Sequence, residues 1–147
     1  MIEANQLERA FDLAEQQLDY GEHSVFDSIA IKAEKNDIHL VRSLIGKYSN
    51  LLEQYPSNTE LHLGLSILYQ RDDQLDNSLK SAERAAKLDD ESVRTVFQEA
   101  RVLQAQGKTA LVRKKLADLV ENNPDNLVLR ARYARILATF DLQASRD

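Results

Sequence analysis

The fold is decided by two short breaks, Glu53-Gln54-Tyr55-Pro56-Ser57-Asn58 and Glu121-Asn122-Asn123-Pro124-Asp125-Asn126. They hold the two prolines of the chain, and positions 56 and 124 are 68 residues apart, twice 34. Midway lies a third polar break, Lys87-Leu88-Asp89-Asp90-Glu91-Ser92. Each proline break ends in an asparagine, Asn58 or Asn126, whose side chain can accept from the first free N–H groups of a following helix. A spacing of 34 fits one helix–turn–helix unit, two helices of about 13 residues with their turns.

Working outward, the apolar positions recur at intervals of three and four, and strict alternation persists nowhere. From Thr59, the residues Leu61, Leu65, Leu68 and Tyr69 share one helical face. After the turn Arg71-Asp72-Asp73, a second face carries Leu75, Leu79, Ala82, Ala85 and Ala86. From Val93, the residues Val96, Ala100 and Leu103 precede Gly107, and Leu111, Val112, Leu116, Leu119 and Val120 follow it. Gly107 falls where a helix end calls for a left-handed residue, a conformation glycine takes without a Cβ clash. Upstream, Leu7, Ala10, Phe11, Ala14 and Leu18 run to a break at Gly21, and Val41, Leu44, Ile45, Tyr48, Leu51 and Leu52 mark a further face. The reading is an all-α chain of eight helices, near 3–19, 24–36, 38–54, 58–71, 74–88, 91–106, 109–122 and 127–141. It forms a single domain: a partial repeat 1–22, repeats 25–58, 59–92 and 93–126, and a partial repeat 127–147.

Composition agrees. Among 147 residues, 43% are hydrophobic and 29% charged, enough to bury a core, and four Gly with two Pro leave few turns for a β-sandwich. The absence of cysteine excludes disulfides, thiolate metal sites and cysteine nucleophiles. The net charge of −5 disfavours non-specific attraction to nucleic acid or to anionic membrane. No segment approaches the roughly 20 apolar residues of a membrane span. The first twenty residues hold Glu3, Glu8, Arg9, Asp12 and Glu15 and lack a signal-peptide core. A soluble compartment is expected: cytoplasmic, or periplasmic if a leader has been removed.

These residues resemble the tetratricopeptide repeat family, whose 34-residue unit reads W-x2-L-G-x2-Y in its first helix. Leu65 and Tyr69 take the Leu and Tyr slots and Ala85 a small-residue slot, while the next unit supplies Ala100, Leu103, Gly107, Leu116 and Pro124, and the last Tyr133, Ala134 and Leu137. The Trp slot departs, holding His62, Val96 and Arg130, and Lys32 stands where a small residue is expected. The resemblance implies a right-handed solenoid of antiparallel helix pairs whose first helices line a concave surface, where a peptide or partner helix lies. It also implies a bacterial style of repeat, one used in envelope assembly, secretion and regulatory complexes.

On that geometry the candidate partner-binding residues are Leu63, Ile67, Arg71, Arg94, Phe97, Gln98, Arg101, Arg132 and Arg135. An apolar patch is expected at one end and, at the other, an arginine stripe suited to carboxylates. Carried over from the subset of the family that clamps a C-terminal carboxylate, the five slots hold Leu63, Ile67, Gln98, Val128 and Arg132, and only Arg132 matches. The chain opens in phase with a second helix and stops after a first helix, so a fragment of a longer array is expected. A homo-oligomer through an unpartnered face of Leu129, Tyr133, Ile136, Leu137 and Phe140 is the alternative, in which polar residues at Tyr133 and Phe140 abolish self-association. A third expectation has the tail from Asp141 folding back over that face.

No catalytic, cofactor or metal site is expected. His23, His39 and His62 are isolated, and the four glycines stand apart rather than in a phosphate loop. The acidic groups Asp72-Asp73 and Asp89-Asp90-Glu91 are read as helix caps, and Arg113-Lys114-Lys115 as a solvated convex run. The expected function is a non-catalytic protein-interaction scaffold. The alternatives are RNA binding through the arginine stripe and a purely structural self-association module.

Overall fold

The computed structural model describes residues 4–18, 25–89 and 93–146. They form eight helices: α1 (Ala4–Gln17), α2 (Phe26–Lys32), α3 (Ile38–Gln54), α4 (Thr59–Arg71), α5 (Leu75–Leu88), α6 (Val93–Ala105), α7 (Thr109–Asn122) and α8 (Leu127–Arg146). No strand occurs among the described residues. From α3 onward each helix packs on the next, α1 packs on α2 and α3, and α4 also packs on α2 and α6, so consecutive helix pairs stack.

The repeat is visible in the backbone. Asn58 and Asn126 each accept, at 3.0 Å, from the N–H of Leu61 and Leu129, so both cap helix starts as their positions predict. Asp73 and Gly107, 34 residues apart, both have positive φ, 55° and 79°. Beside them the N–H groups of Gln74 and Lys108 donate to the carbonyls of Tyr69 and Leu103, each at 2.9 Å. These bonds satisfy carbonyls that a helix end leaves without a partner.

Two apolar clusters form the interior. The first joins α1 to α4 around Phe11, Phe26 and Tyr48, whose ring centroids lie 5.1–5.7 Å apart. The Tyr48 hydroxyl donates to the Phe26 carbonyl at 2.5 Å, holding α3 against α2. Gly64 lies at this junction: a Cβ there would stand 2.6 Å from Tyr48 Cε2 and 2.9 Å from the Phe26 oxygen. The second cluster joins α6, α7 and α8 through Phe97, Val112, Leu116, Leu129 and Phe140.

Between them runs a polar seam. Ser66 Oγ donates to the Ser78 carbonyl at 2.8 Å, and Ser78 Oγ donates to the Ser66 carbonyl at 2.6 Å. Gln98 adds an Nε2 bond to Ser66 Oγ at 3.1 Å. The small side chains let α4 and α5 approach closely, and reciprocal bonding satisfies the hydroxyls that burial would otherwise penalise.

Several expectations are corrected. Helix α2 ends at Lys32, four residues early, because Ala33 turns extended (φ −74°, ψ 114°) and is fully buried. The tail does not fold back, since α8 continues to Arg146. Asp72 and Asp73 do not cap α5: they pair with Arg42 at 3.2 Å and Lys35 at 3.0 Å, tying the end of α4 to α3 and to the loop after α2. Leu111, assigned to a packed face, is exposed. Lys115 is not simply solvated, because it pairs at 2.8 Å with the buried Glu99 of α6. His23, Asp90 and Glu91 lie outside the described residues.

Candidate functional site

Three first helices of the pairs, α4, α6 and α8, carry all nine sequence-predicted groove residues, and the structure divides these by what they already touch. Leu63 and Ile67 are buried, so the expected apolar patch is not open surface. Arg71 donates through Nε to the Ala33 carbonyl at 3.2 Å and through Nη2 to that of Ile31 at 3.4 Å, closing the end of α2. Gln98 is buried, bonded to Ser66 and, at 3.2 Å, to Gln70 Oε1.

Arg94 is neutralised within the fold. Its guanidinium grips both oxygens of Glu60 at 2.7–3.0 Å and also pairs with Asp27, tying α2, α4 and α6 together. Burial raises the Glu60 pKa above the ordinary carboxylate range, with the hydrogen bond from Arg94 opposing and the adjacent Asp27 reinforcing. The Arg94 pKa is raised in turn, chiefly by its hydrogen bonds to Glu60.

Phe97, Arg101, Arg132 and Arg135 remain, and they meet in one half-open cleft of about 240 Å³. Helix α6 forms one wall with Phe97, Ala100, Arg101 and Gln104, α8 the other with Arg132, Arg135, Ile136 and Thr139, and Val112 of α7 contributes below. The Arg132 guanidinium lies over the Phe97 ring, its carbon 4.3 Å from the centroid, a cation–π contact that holds it at the rim. Arg101 has its pKa lowered by burial and then by the positive charges of Arg132 and Arg71.

The contrast between the two ends of this face has a packing cause. Gly64 lets α4 close onto α2, whereas α6 and α8 face each other through phenylalanine and like-charged arginines, which hold a gap open. A larger depression of about 580 Å³ adjoins Arg71, Lys35 and Asp73, but Lys35 and Asp73 already pair with each other and Arg71 with backbone.

The proposed self-association residues divide as well. Leu129 and Phe140 are buried against their own chain, with the Arg113 guanidinium 5.5 Å from the Phe140 ring centroid. Tyr133, Ile136 and Leu137 pack partly onto the same cluster, while Leu127 and Val128 are exposed large apolar residues of α8. A sequence pattern assigns a helix an apolar face but not which neighbour covers it, which is why this placement was missed.

Among the described residues no group of three His, Asp or Glu side chains could hold a metal ion, and no helix is long and apolar enough to cross a membrane. His62 is buried with Nε2 2.8 Å from the Pro56 carbonyl, a contact from α4 back to the break before it.

No protein-family model matches the sequence, and no curated protein is similar to it. The fold does match solved structures. Two are of the Yersinia enterocolitica type III secretion translocator chaperone SycD, one described as an alternative dimer. The alternative-dimer structure has a TM-score of 0.57 at 22% identity over 95% of both chains. The other has 0.56 at 21% identity, over 99% of this chain and 90% of that one. At this identity the likeness establishes the fold, an all-α TPR-like stack of helices.

Proposed function

We propose that this protein is a non-catalytic scaffold that holds a segment of another protein along its first-helix face, in the manner of a chaperone for a secreted partner. The carrying observation is the cleft between α6 and α8, where Arg101, Arg132 and Arg135 gather on that face without a carboxylate partner among the described residues. The fold likeness to a translocator chaperone supports the same class.

Display of random peptides tests it. A photo-crosslinking residue at Gln104, in the cleft, is expected to capture the selected peptides, and the same residue at Leu111, exposed on α7, is not. Failure to select any binder, or capture at Leu111 alone, overturns the reading.

A second reading, self-association, draws on the exposure of Leu127 and Val128, at 73% and 71%, and on the dimer described for SycD. Light scattering across a wide concentration range separates it: a constant monomer mass rejects it, and a rising mass that Val128→Lys reverses supports it.

A further inference from the structure

The cleft identified above also carries information about what enters it, and this step rests on the scaffold reading. Five cations elsewhere in the fold have acidic partners: Lys35 with Asp73, Arg42 with Asp72, Lys47 with Asp12, Arg94 with Glu60 and Asp27, and Lys115 with Glu99. Arg101, Arg132 and Arg135 converge on one cleft, and none has a carboxylate partner among the described residues. In a chain with 24 acidic and 19 basic residues, three such arginines on one small surface constitute a local field of the opposite sign to the whole.

We propose that this cleft recognises an aspartate or glutamate side chain within an extended segment of the partner protein, with an apolar neighbour of that acid resting against Ile136.

The choice of occupant follows from the lining. At about 240 Å³ the cleft is smaller than the roughly 300–1,000 Å³ that enclose whole small molecules. It suits one or two side chains of a chain lying across it. Arginine offers a planar fork that pairs with both carboxylate oxygens at once. Phe97 holds the plane of Arg132 from behind, which reduces what must be ordered on binding. A terminal carboxylate is disfavoured because a clamp of that kind would use the equivalents of Leu63, Ile67 and Val128, here apolar. RNA is disfavoured because Glu60 and Asp27 cancel Arg94, so the charge is a cluster rather than a track along the phosphates. The Phe97 ring that bases would stack on is buried beneath Arg132.

The test begins with peptides selected from a library displayed without a free C-terminus. Aspartate or glutamate is expected at one fixed position, beside an apolar residue. In fluorescence anisotropy, changing that acid to its amide is expected to weaken binding to the wild-type protein about tenfold or more, as for loss of a charge-assisted pair. On Arg101→Gln, Arg132→Gln, Arg135→Gln protein the same change should cost less than about twofold, and circular dichroism of this surface triple variant should match wild type. Binders with no fixed acid, or an acid whose loss costs the same on both proteins, overturn the proposal and leave the scaffold reading standing. Restored affinity from a free C-terminal carboxylate in place of the internal acid overturns the side-chain assignment. An oligouridine that competes with the selected peptide at equal concentration overturns it in favour of RNA. No binders at all refute the scaffold reading itself.

Discussion

The junction of α2, α3 and α4 makes a paired prediction from one kind of substitution. Gly64→Ala and Gly46→Ala each place a methyl group inside a helix, and each gains about 1 kcal/mol of helix propensity. Gly46 has nothing within 4 Å of an added Cβ, so its variant should keep that gain. At Gly64 the new carbon would meet Tyr48 Cε2 at 2.6 Å and the Phe26 oxygen at 2.9 Å, against ordinary contacts of about 3.5–4.0 Å. The Tyr48 ring cannot swing away cheaply, because its hydroxyl is bonded to the Phe26 carbonyl and the ring packs against Phe11 and, in a T-shaped contact, against Phe26. Overpacking of this kind costs about 1–3 kcal/mol. Since the propensity gain is common to both variants, the difference between them isolates that steric cost. With a urea slope of about 2 kcal/mol/M, the two midpoints should lie about 0.5–1.5 M apart, Gly46→Ala above Gly64→Ala. Urea titrations followed by circular dichroism measure this directly. Equal midpoints would refute the close approach of α2 and α4.

Three further outcomes follow from particular contacts. Asp73→Gly should stabilise the chain by about 0.5–1 kcal/mol in the same assay, because glycine relieves the positive φ and the exposed Lys35 pair it removes is worth little. Burial and then the charge of Asp27 raise the Tyr48 hydroxyl above its ordinary pKa, so above about pH 10 the unfolded state loses a proton that the folded state keeps. Stability should therefore fall with rising pH there by up to about 1.4 kcal/mol per unit, and the difference between wild type and Tyr48→Phe, measured from pH 9 to 11, should carry that slope. Phe140→Ser should lower stability by about 3 kcal/mol and leave the mass in solution unchanged, because the ring is buried within its own chain. A lowered mass with unaltered stability would place Phe140 in an interface instead.

Helix number, helix type and most boundaries were legible because the code for them is local: a 3.6-residue apolar period, asparagine caps and a glycine at a left-handed turn. The shortness of α2 was not, since what ends it is the burial of Ala33 against helices distant in sequence. For the groove, the sequence assigned candidate residues to the first helices but could not say which were already engaged. Arg94 and Arg101 look alike in the chain, seven residues apart on one helix face. Only the arrangement of α2 and α4 shows that one is held by Asp27 and Glu60 while the other faces the cleft. The pairing of Lys115 with Glu99 escaped for the same reason, both partners being ordinary members of amphipathic helices.

The serine seam between the two apolar clusters has a mechanical consequence. Interlocked methyl groups can slide past one another with little change in energy, but a hydrogen bond of 2.6–2.8 Å loses most of its worth once it is stretched or tilted. The reciprocal pair from Ser66 and Ser78 therefore acts as a dowel, fixing the angle at which the front half of the molecule meets the back. The curvature offered to any bound chain is set there, by side chains other than the arginines that would touch it.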